Sequence, residues 1–424
     1  MDHPLTGYIR PDREPLSREA YERVGGYQAL RKALKTMSPA DVTAVVKDSG
    51  LRGRGGAGFS TGRKWGYIPI DDDATHPKYL IANADEMEPG TFKDRLLLEG
   101  NPHQLLEGII LGAYAIRADV AYVFLRWAYR QAAQRVARAI AEAYEAGYLG
   151  RNILGSGFDL EMYLHVSAGR YICGEATALL NALEGERGLP RAKPPHAAAS
   201  GEWAKPTVVN NVETLSNVPH IVAKGAEWFR SLSPSEDSGT KLYQVSGRVK
   251  RPGVWELPMG TPARTIIEEN AGGLQDGLTL RGFLPGGAST EFLLPEHLDA
   301  KMDFASIEKI GSRFGTGTIV VLDDRTCPVG MVLNLMRFFA RESCGWCTPC
   351  RDGLPWTVKT LLAIESGRGE ESDIDELAHH TRMIMDGYTA CELAPGAMEP
   401  LRSALKYYSD DFRRHVHEKR CPWR

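Results

Sequence analysis

Hydrophobic and polar residues alternate with two different periods along the first half of the chain. Strand-like apolar runs occupy residues 78–84, 118–126 and 159–167, and helical periodicity fills residues 102–117 and 130–147 between them. A period near two indicates a strand with one buried face, whereas a period of 3.6 indicates an amphipathic helix. Strands that alternate with helices in this way predict an α/β domain.

The pattern changes twice further along the chain. The polar stretch SLSPSEDSGT at 231–240 is typical of a linker. Short strands with glycine turns follow it, with one helix expected near PARTIIEENAGG, and from Pro328 the pattern is helical to the end. We therefore predict an N-terminal extension at 1–40, an α/β domain at 41–230, a β-rich domain at 241–325 and a helical domain at 328–424.

Composition narrows the class of protein. The chain has 424 residues, 43% of them hydrophobic, and a net charge of -3, which gives no electrostatic case for nucleic acid or an anionic membrane as the main partner. The N-terminus lacks the basic and apolar segments of a secretory signal. The longest apolar run, LLEGIILGAYAI, is too short to span a bilayer and carries Glu107. We expect a soluble, intracellular protein without direct membrane insertion.

The cysteines carry the strongest chemical signal. Three of the seven form C-x-x-C-x-x-C at Cys344, Cys347 and Cys350, and Cys391 stands alone further on. Three thiolates on one turn with a distant fourth suit a [4Fe-4S] cluster. Zinc is the rival ligand, although zinc sites usually consist of two separate C-x-x-C pairs. The remaining cysteines are interpreted as core or surface thiols: Cys173, Cys327 and Cys421.

The glycine-rich stretch GRGGAG at 53–58 has the G-x-G-x-x-G spacing of a dinucleotide-binding turn. That motif normally follows a strand, but the residues before it, SPADVTAVVKDSG, read as a short helix capped by Ser38. We therefore interpret the stretch as a glycine cradle between a helix and a loop. Arg54 and Lys64 would add charged donors for a phosphate.

Two further polar clusters lie near predicted strands and helices. NADEMEPG ends a strand, and VVNNVET begins a helix. Ligands bind at the ends of strands in α/β domains, although an acidic surface turn and ordinary helix caps are the alternatives. The candidate residues are Asn83, Asp85, Glu86, Glu88, Asn210, Asn211 and Thr214.

Taken together, five motifs resemble one family over essentially the whole chain. They are LRGRGGAGFSTGRKW, NADEMEPGTFKDR, GRYICGEATALLNALEGERG, KPTVVNNVETLSNV and ESCGWCTPCRDG, with Cys391 closing the set. They resemble the flavin-bearing 51 kDa (F) subunit of the proton-pumping NADH:quinone oxidoreductase, respiratory complex I. The resemblance implies an FMN-binding α/β domain with Rossmann-like character, a ubiquitin-like (β-grasp) domain and a C-terminal helical bundle around a [4Fe-4S] cluster.

The resemblance also implies the roles of individual residues. Hydride would pass from NADH to FMN, and single electrons would leave through the cluster toward quinone, with no acid or base side chain needed for the hydride step. FMN would lie against Gly53, Arg54, Gly55, Lys64, Asn83, Asp85, Tyr171, Gly174, Glu175, Asn210, Asn211 and Thr214. NADH would lie against Gly56, Ala57, Phe59, Tyr67, Glu88 and Lys193.

Three motifs depart from the family pattern, all on the nucleotide side. GEAT replaces GEET at Ala176, RWAY replaces RGEY at Trp127 and Ala128, and KPPH replaces KPPF at His196. An acid near the adenosine ribose favours NADH because it repels a 2′-phosphate. Its loss predicts weaker discrimination against NADPH. The alternative is neutral drift, in which another group compensates.

The resemblance further implies partners and a location. These are a small [2Fe-2S] subunit and a large iron–sulfur subunit, in a peripheral assembly on the cytoplasmic side of a bacterial inner membrane. Two other functions remain open at this point. One is a diaphorase subunit of a soluble NAD-linked hydrogenase or formate dehydrogenase, and the other is a scaffold subunit whose nucleotide site has decayed.

Overall fold

The computed structural model describes residues 2–71, 74–385 and 387–424. Within these ranges the chain forms two four-stranded sheets and sixteen α-helices. The strands are β1 (Tyr79–Ala84), β2 (Val120–Leu125), β3 (Glu161–Val166), β4 (Thr207–Asn211), β5 (Thr240–Ser246), β6 (Gly253–Pro258), β7 (Leu280–Leu284) and β8 (Thr318–Asp323). The helices are α1 (Arg18–Arg23), α2 (Gln28–Thr36), α3 (Pro39–Asp48), α4 (Thr61–Trp65), α5 (Lys93–Gly100), α6 (Pro102–Ile116), α7 (Arg130–Glu145), α8 (Ala176–Leu183), α9 (Val212–Lys224), α10 (Ala226–Ser231), α11 (Phe304–Lys309), α12 (Pro328–Glu342), α13 (Leu354–Glu365), α14 (Glu371–Met383), α15 (Leu393–Tyr407) and α16 (Ser409–Glu418).

The first sheet is parallel, with the strand order β3-β2-β1-β4. The three strands and two helices predicted for this region are confirmed, and with them the α/β class. The sequence analysis missed β4 because its polar residues Asn210 and Asn211 were interpreted as the start of a helix. In fact β4 pairs with the central strand β1, and Asn211 caps the helix α9 that follows. The pairing sets Asn83 beside Asn211 at one edge of the sheet.

The N-terminal residues pack into the core of this α/β domain. Tyr27 and Leu30 are fully buried there, together with the apolar face of α6. Burying a large apolar side chain contributes about 1.5–3 kcal/mol. Glu107, on the same helix, accepts hydrogen bonds from the Tyr21 hydroxyl at 2.7 Å and the Tyr27 backbone N–H at 2.8 Å. Glu107, which lies inside the longest apolar run, therefore joins α6 to the N-terminal helices.

The middle region holds a mixed sheet in the order β6-β5-β8-β7. β5 and β8 run parallel at its centre, and the two outer pairs are antiparallel. The polar stretch between α10, which ends at Ser231, and β5, which begins at Thr240, contains no helix or strand. The expected helix is a single π-helical turn, Thr265–Asn270, and the sequence analysis missed the short α11.

The C-terminal region is helical from Pro328 onward, as predicted. Near the end of this region the helix is interrupted at Tyr408, between α15 and α16. None of the helices in the described ranges has both the length and the apolar character that crossing a bilayer requires. The run LLEGIILGAYAI belongs to the buried helix α6.

Candidate active site

The glycine stretch forms a closed loop between α3 and α4. The Gly53 N–H donates to the Phe59 carbonyl at 2.8 Å, which closes the base of the loop. Gly56 and Gly58 have φ values of 126° and 65°, where residues with a Cβ are strained. Because a helix capped by Ser38 precedes this loop, the predicted helix-to-loop arrangement is confirmed and a Rossmann turn, which follows a strand, is excluded.

The loop lies against the N-terminal end of α9. A Cβ added to Gly55 would stand 3.1 Å from the Asn211 Cβ, so glycine allows this close approach. The Arg54 backbone N–H donates to the Thr214 hydroxyl at 2.8 Å. Thr214 therefore fixes the loop through a side-chain contact, and the glycine backbone beside it stays accessible.

A cavity of about 600 Å³ opens beside the loop. All three regions of the chain line it, including Arg313 from the middle region and Cys391 from the helical region. Eleven of the nineteen predicted cofactor residues line it: Gly55, Gly56, Ala57, Asn83, Asp85, Glu86, Glu88, Tyr171, Gly174, Glu175 and Asn211.

Asp85 presents a buried acceptor to this cavity. Its Oδ1 accepts a hydrogen bond from the Ser167 hydroxyl at 2.9 Å, whereas its Oδ2 is buried and has no hydrogen-bond partner in the described part of the chain. Burial raises the pKa of Asp85 to about 6, against the opposing effects of Ser167 and Arg126. A buried polar atom without a partner is costly, so a ligand with an N–H or O–H donor fits this wall.

Glu88 joins the α/β domain to the middle region. It accepts a hydrogen bond from the Tyr171 hydroxyl at 2.6 Å, and its other oxygen accepts from the Ser289 N–H at 2.7 Å. Burial raises the pKa of Glu88, although these hydrogen bonds oppose the shift. The carboxylate therefore holds two walls of the cavity together.

Glu86 supports the start of α5. Its carboxylate accepts from the Asp94 N–H at 2.9 Å and from the Tyr129 hydroxyl at 3.0 Å. Burial raises the pKa of Glu86 to about 7, with the neighbouring Asp94 adding to the shift. These partners occupy both carboxylate oxygens, so Glu86 shapes the wall that it lines.

Sequence reasoning missed a buried cation in the cavity wall. The Lys93 ammonium lies 2.7 Å from Asp94 and 3.0 Å from Glu213, and it donates to the Asn211 amide oxygen at 3.2 Å. Lys93 lies inside the NADEMEPGTFKDR motif, so its place in that motif was the available signal. The cavity residues of the middle region, such as Ser289 and Arg313, carried no local signal in the sequence, because only the packing of the middle region on the α/β domain brings them to the cavity.

The other eight predicted cofactor residues lie outside the cavity lining: Gly53, Arg54, Phe59, Lys64, Tyr67, Lys193, Asn210 and Thr214. Arg54 is fully buried and donates to the Ser238 and Thr240 carbonyls, while its Nε and Nη1 have no hydrogen-bond partner in the described ranges. Burial lowers the pKa of Lys64 to about 8, and the nearby Lys193 ammonium adds to the shift. Phe59 and Tyr67 are 47% and 56% exposed, with ring centroids 6.3 Å apart.

The four motif cysteines gather between α12, α13 and α15. Burial raises the pKa of Cys350 to about 12 and that of Cys391 to about 11, and the thiols of the other cysteines add to both shifts, which indicates their proximity. Ser343 and Cys350 are in hydrogen-bond contact at 3.0 Å. Among the described residues, these sulfurs do not form a group within 4.8 Å of one another. One zinc ion would hold its sulfur ligands closer than that.

The four departures from the family pattern also lie outside the cavity lining. Trp127, Ala128 and His196 are exposed, and the Trp127 ring packs against Gly169. Ala176 is the first residue of α8, just after Glu175, whose carboxylate caps that helix and lies 3.2 Å from Lys193.

Three family models match the sequence. Residues 46–220 match the Nuo51 FMN-binding domain, residues 242–292 match the SLBB domain, and residues 330–415 match the NADH-ubiquinone oxidoreductase-F iron-sulfur binding region. Each match falls in one of the three regions distinguished above.

Curated relatives and solved structures agree with these matches. The F subunit of NADH-quinone oxidoreductase from Salmonella typhimurium is 56% identical over 410 residues, which cover 97% of this chain and 92% of that protein. The Escherichia coli F subunit has the same identity and coverage, and the Mycobacterium tuberculosis F subunit is 48% identical over 96% of this chain and 91% of that protein. A crystal structure of NAD+-reducing [NiFe]-hydrogenase in the H2-reduced state aligns with a TM-score of 0.81 and 36% identity, covering 99% of this chain and 67% of that chain. This chain belongs to the family of NADH-quinone oxidoreductase F subunits, as a flavin-dependent NADH dehydrogenase subunit with FMN and a [4Fe-4S] cluster as cofactors and NADH as substrate.

Proposed function

We propose that the cavity beside the glycine loop is the site where NADH reduces FMN, and that electrons leave through the cluster held by Cys344, Cys347, Cys350 and Cys391. The observation that carries this assignment is a shared wall. Cys391 lines the same cavity as Gly55 and Asp85. A cluster at that wall would lie next to the flavin.

The lining residues fit FMN in chemical type. When bound, FMN accepts hydride from NADH, and the cluster carries single electrons onward. Gly55 and Gly56 let the backbone approach the ligand closely, and the Asp85 Oδ2 offers an acceptor. Asn83 and Asn211 supply amide groups at the end of the sheet, where ligands of α/β domains bind.

Positively charged side chains near the glycine loop are suited to bind the phosphate of FMN. Burial lowers the pKa of Lys64, and the nearby Lys193 ammonium adds to this shift. The buried Arg54 has two N–H donors without partners in the described ranges. A phosphate would add an acceptor for these donors, alongside the Glu175 carboxylate near Lys193 and the Glu213 carboxylate near Arg54.

We assign NADH to the opening of the same cavity. The nicotinamide end would reach into the cavity to meet the flavin, and Gly56, Ala57 and Glu88 line the cavity there. Phe59 and Tyr67 are exposed aromatic side chains near the loop, suited to stack on the adenine. Lys193 provides a cation for the pyrophosphate.

Nucleotide preference follows from Ala176. Glu175 is committed to capping α8 and to Lys193, and position 176 carries no second acid. We infer relaxed discrimination between NADH and NADPH, acting on the adenosine end of the nucleotide because Trp127, Ala128, Ala176 and His196 lie outside the cavity lining. His196 would be a further group able to meet a 2′-phosphate when protonated.

The test is anaerobic stopped-flow reduction of the flavin by NADH and NADPH side by side, in the wild type and in Ala176→Glu. Comparable rates in the wild type, with NADPH slowed in the variant, support the inference. Reduction by NADH alone would show that the departures are drift. Reduction by neither nucleotide, with flavin bound, would contradict the dehydrogenase site and favour a scaffold role.

The domain limits and partners belong to the same proposal. We keep 1–40, 41–230, 241–325 and 328–424 as the domain bounds and infer a ubiquitin-like middle domain, because its sheet order β6-β5-β8-β7 has a parallel central pair with antiparallel edges. The last domain would be a helical bundle around the cluster.

We infer docking to a small [2Fe-2S] subunit and a large iron–sulfur subunit, in a peripheral arm on the cytoplasmic side of a bacterial inner membrane.

The likeness to the NAD+-reducing hydrogenase favours one alternative function, a diaphorase subunit. Affinity purification under native conditions separates the two assignments. Co-purification with iron–sulfur subunits and NADH:quinone reductase activity supports the complex I assignment. Co-purification with a hydrogenase or formate dehydrogenase subunit overturns it.

A further inference from the structure

Four possible metal ligands meet at a second place in the helical region. Cys327 precedes α12, Glu365 ends α13, His415 lies in α16, and Cys421 follows in the C-terminal tail. Their ligand atoms all lie within 4.8 Å of one another, and no other group of three or more such residues in the described ranges does so. None of the four lines the cavity assigned to FMN.

The spacing of the Cys327, Glu365 and His415 ligand atoms matches one small metal ion, and the Cys421 sulfur lies within 4.8 Å of all three. The Cys327 Sγ lies 3.3 Å from both the Glu365 Oε2 and the His415 Nε2, and those two atoms are 3.1 Å apart. Tetrahedral zinc, with bonds of about 2.3 Å to sulfur and about 2.0 Å to nitrogen or oxygen, separates sulfur from nitrogen or oxygen by about 3.5 Å and nitrogen from oxygen by about 3.3 Å. Each observed edge is within about 0.3 Å of these values.

Neighbouring groups hold the ligands in this orientation. The His415 Nδ1 lies 2.7 Å from the Asp411 carbonyl, so that Nδ1–H donates there and the Nε2 lone pair turns toward the group. Such outer hydrogen bonds fix the tautomer of metal-binding histidines. The Gly330 N–H donates to the Cys327 Sγ at 3.2 Å, and the Trp423 ring stacks on His415.

Burial makes a metal-free cluster costly. His415 is fully buried, and Glu365 and Cys421 are each 5% exposed. With its proton on Nδ1, neutral His415 presents a lone pair to the Glu365 carboxylate at 3.1 Å, so two acceptors face each other. The metal-free alternative is a buried imidazolium–carboxylate pair beside two protonated thiols.

We propose that Cys327, Glu365, His415 and Cys421 bind one Zn²⁺ and fasten the C-terminal tail to the helical domain. Two thiolates, one imidazole and one carboxylate are a ligand set for zinc, whereas calcium and magnesium require oxygen ligands. Because all four positions are filled by the protein, the site is structural and has no open position for a substrate.

Surrounding residues accommodate the charge and the space. Zn²⁺ with two thiolates and a carboxylate carries a net charge of about -1, and the Arg424 guanidinium lies 3.3 Å from the Glu365 Oε1. A Cβ at Gly330 would stand 3.3 Å from the same oxygen, so glycine leaves room for the carboxylate.

The test is metal analysis of the full chain, purified anaerobically, with equimolar Zn²⁺ added as the probe. We expect about one zinc and about four irons per chain. Cys327→Ala and Cys421→Ala should lower zinc at least about tenfold and leave iron and flavin unchanged. Cys173→Ala, a buried cysteine outside both sets, is the matched control and should keep both metals.

X-ray absorption at the zinc edge of the wild type provides a measurement that needs no variant. Two sulfur and two nitrogen or oxygen neighbours support the site. The proposal is overturned by a wild type that takes up no zinc, by zinc retained in both cysteine variants, by four sulfur neighbours, or by a Cys327–Cys421 disulfide in the anaerobic protein.

Discussion

The helical region carries two sets of cysteines that differ in how far apart their members lie along the chain. Three of the cluster cysteines fall within seven residues, Cys344 to Cys350, and a local turn brings them together. The other set joins Cys327 and Cys421, which are 94 residues apart, through Glu365 and His415. The first set can be recognised from spacing alone, whereas the second exists only because α12, α13, α16 and the tail pack together.

The two sets also differ in their surroundings. The cluster set borders the cavity through Cys391, so its chemistry is connected to the flavin. The second set is closed by four protein ligands and lies under Trp423. The first set is therefore a redox site and the second a structural one, and loss of one metal should leave the other in place.

Removing one cluster ligand should have the largest effect. In Cys350→Ser we expect the loss of the cluster iron and of NADH:quinone activity, because the exit for electrons is gone. Zinc at the second site and flavin reduction by NADH should both persist. Iron analysis and stopped-flow reduction measure these two outcomes, and simultaneous loss of zinc and iron would contradict the independence of the two sites.

Removing one ligand of the second set should affect stability and spare electron transfer. In Cys421→Ala we expect the free energy of unfolding to fall by about 4 kcal/mol or more, the range of large single-residue effects that includes the loss of a metal. Denaturant unfolding with and without a zinc chelator measures this change. The chelator should destabilise the wild type and leave the variant unaffected. Equal sensitivity of both proteins to the chelator would contradict a zinc site that includes Cys421.

The flavin cavity should respond to pH independently of both metal sites. The pKa of Asp85 is about 6 in the folded chain, above its ordinary value of 3.8, because the carboxyl is buried. Its contribution to stability is complete below pH 3.8 and is lost as the pH rises through 6. Asp85→Asn should therefore stabilise the flavin-free chain at about pH 8 by at most about 3 kcal/mol, with the gain vanishing near about pH 4.

Asp41 provides the opposite control for that experiment. Hydrogen bonds from the backbone and side chain of Ser38 lower the pKa of Asp41, so its contribution is present at neutral pH and lost in acid. Asp41→Asn should destabilise the chain at about pH 8. Denaturant unfolding at several pH values checks both signs, and a pH-independent effect of Asp85→Asn would contradict the assignment.

Restoring the acid at position 176 should have the smallest effect. In Ala176→Glu, one partly screened charge near the 2′-phosphate is worth about 1 kcal/mol, or about fivefold in the NADPH rate relative to NADH. Ala176→Gln is the matched neutral control. The same loss of NADPH rate in both variants would point to shape, and would contradict the electrostatic explanation.

Spacing and periodicity in the sequence predicted the elements that depend on local residues. The strands β1 to β3, the helix capped by Ser38 and the glycine cradle all follow from nearby residues. The strand β4 was missed because Asn210 and Asn211 are polar, and only pairing with β1 makes them part of a sheet. Ser289 and Arg313 were missed for the same reason, since they reach the cavity through the packing of one region on another.

Cys327 and Cys421 likewise depend on tertiary packing for their surroundings. Cys327 has no cysteine or histidine near it in the sequence, and the nearby His415 was not paired with Cys421, so each cysteine was interpreted as an ordinary thiol. Four different elements must assemble before their ligand atoms converge. Sites assembled by tertiary packing are therefore read from the structure, whereas the cluster could be read from the chain.

Electron transfer from the flavin to the cluster is measured by rapid-freeze electron paramagnetic resonance during reduction by NADH, with flavin absorbance followed in parallel. Because Cys391 lines the cavity assigned to FMN, we predict that the cluster signal appears as the flavin is reduced, and that Cys391→Ser abolishes the cluster signal while its flavin is still reduced. A wild-type chain with intact iron whose cluster stays oxidised after the flavin is reduced would show that the cluster does not take electrons from this flavin.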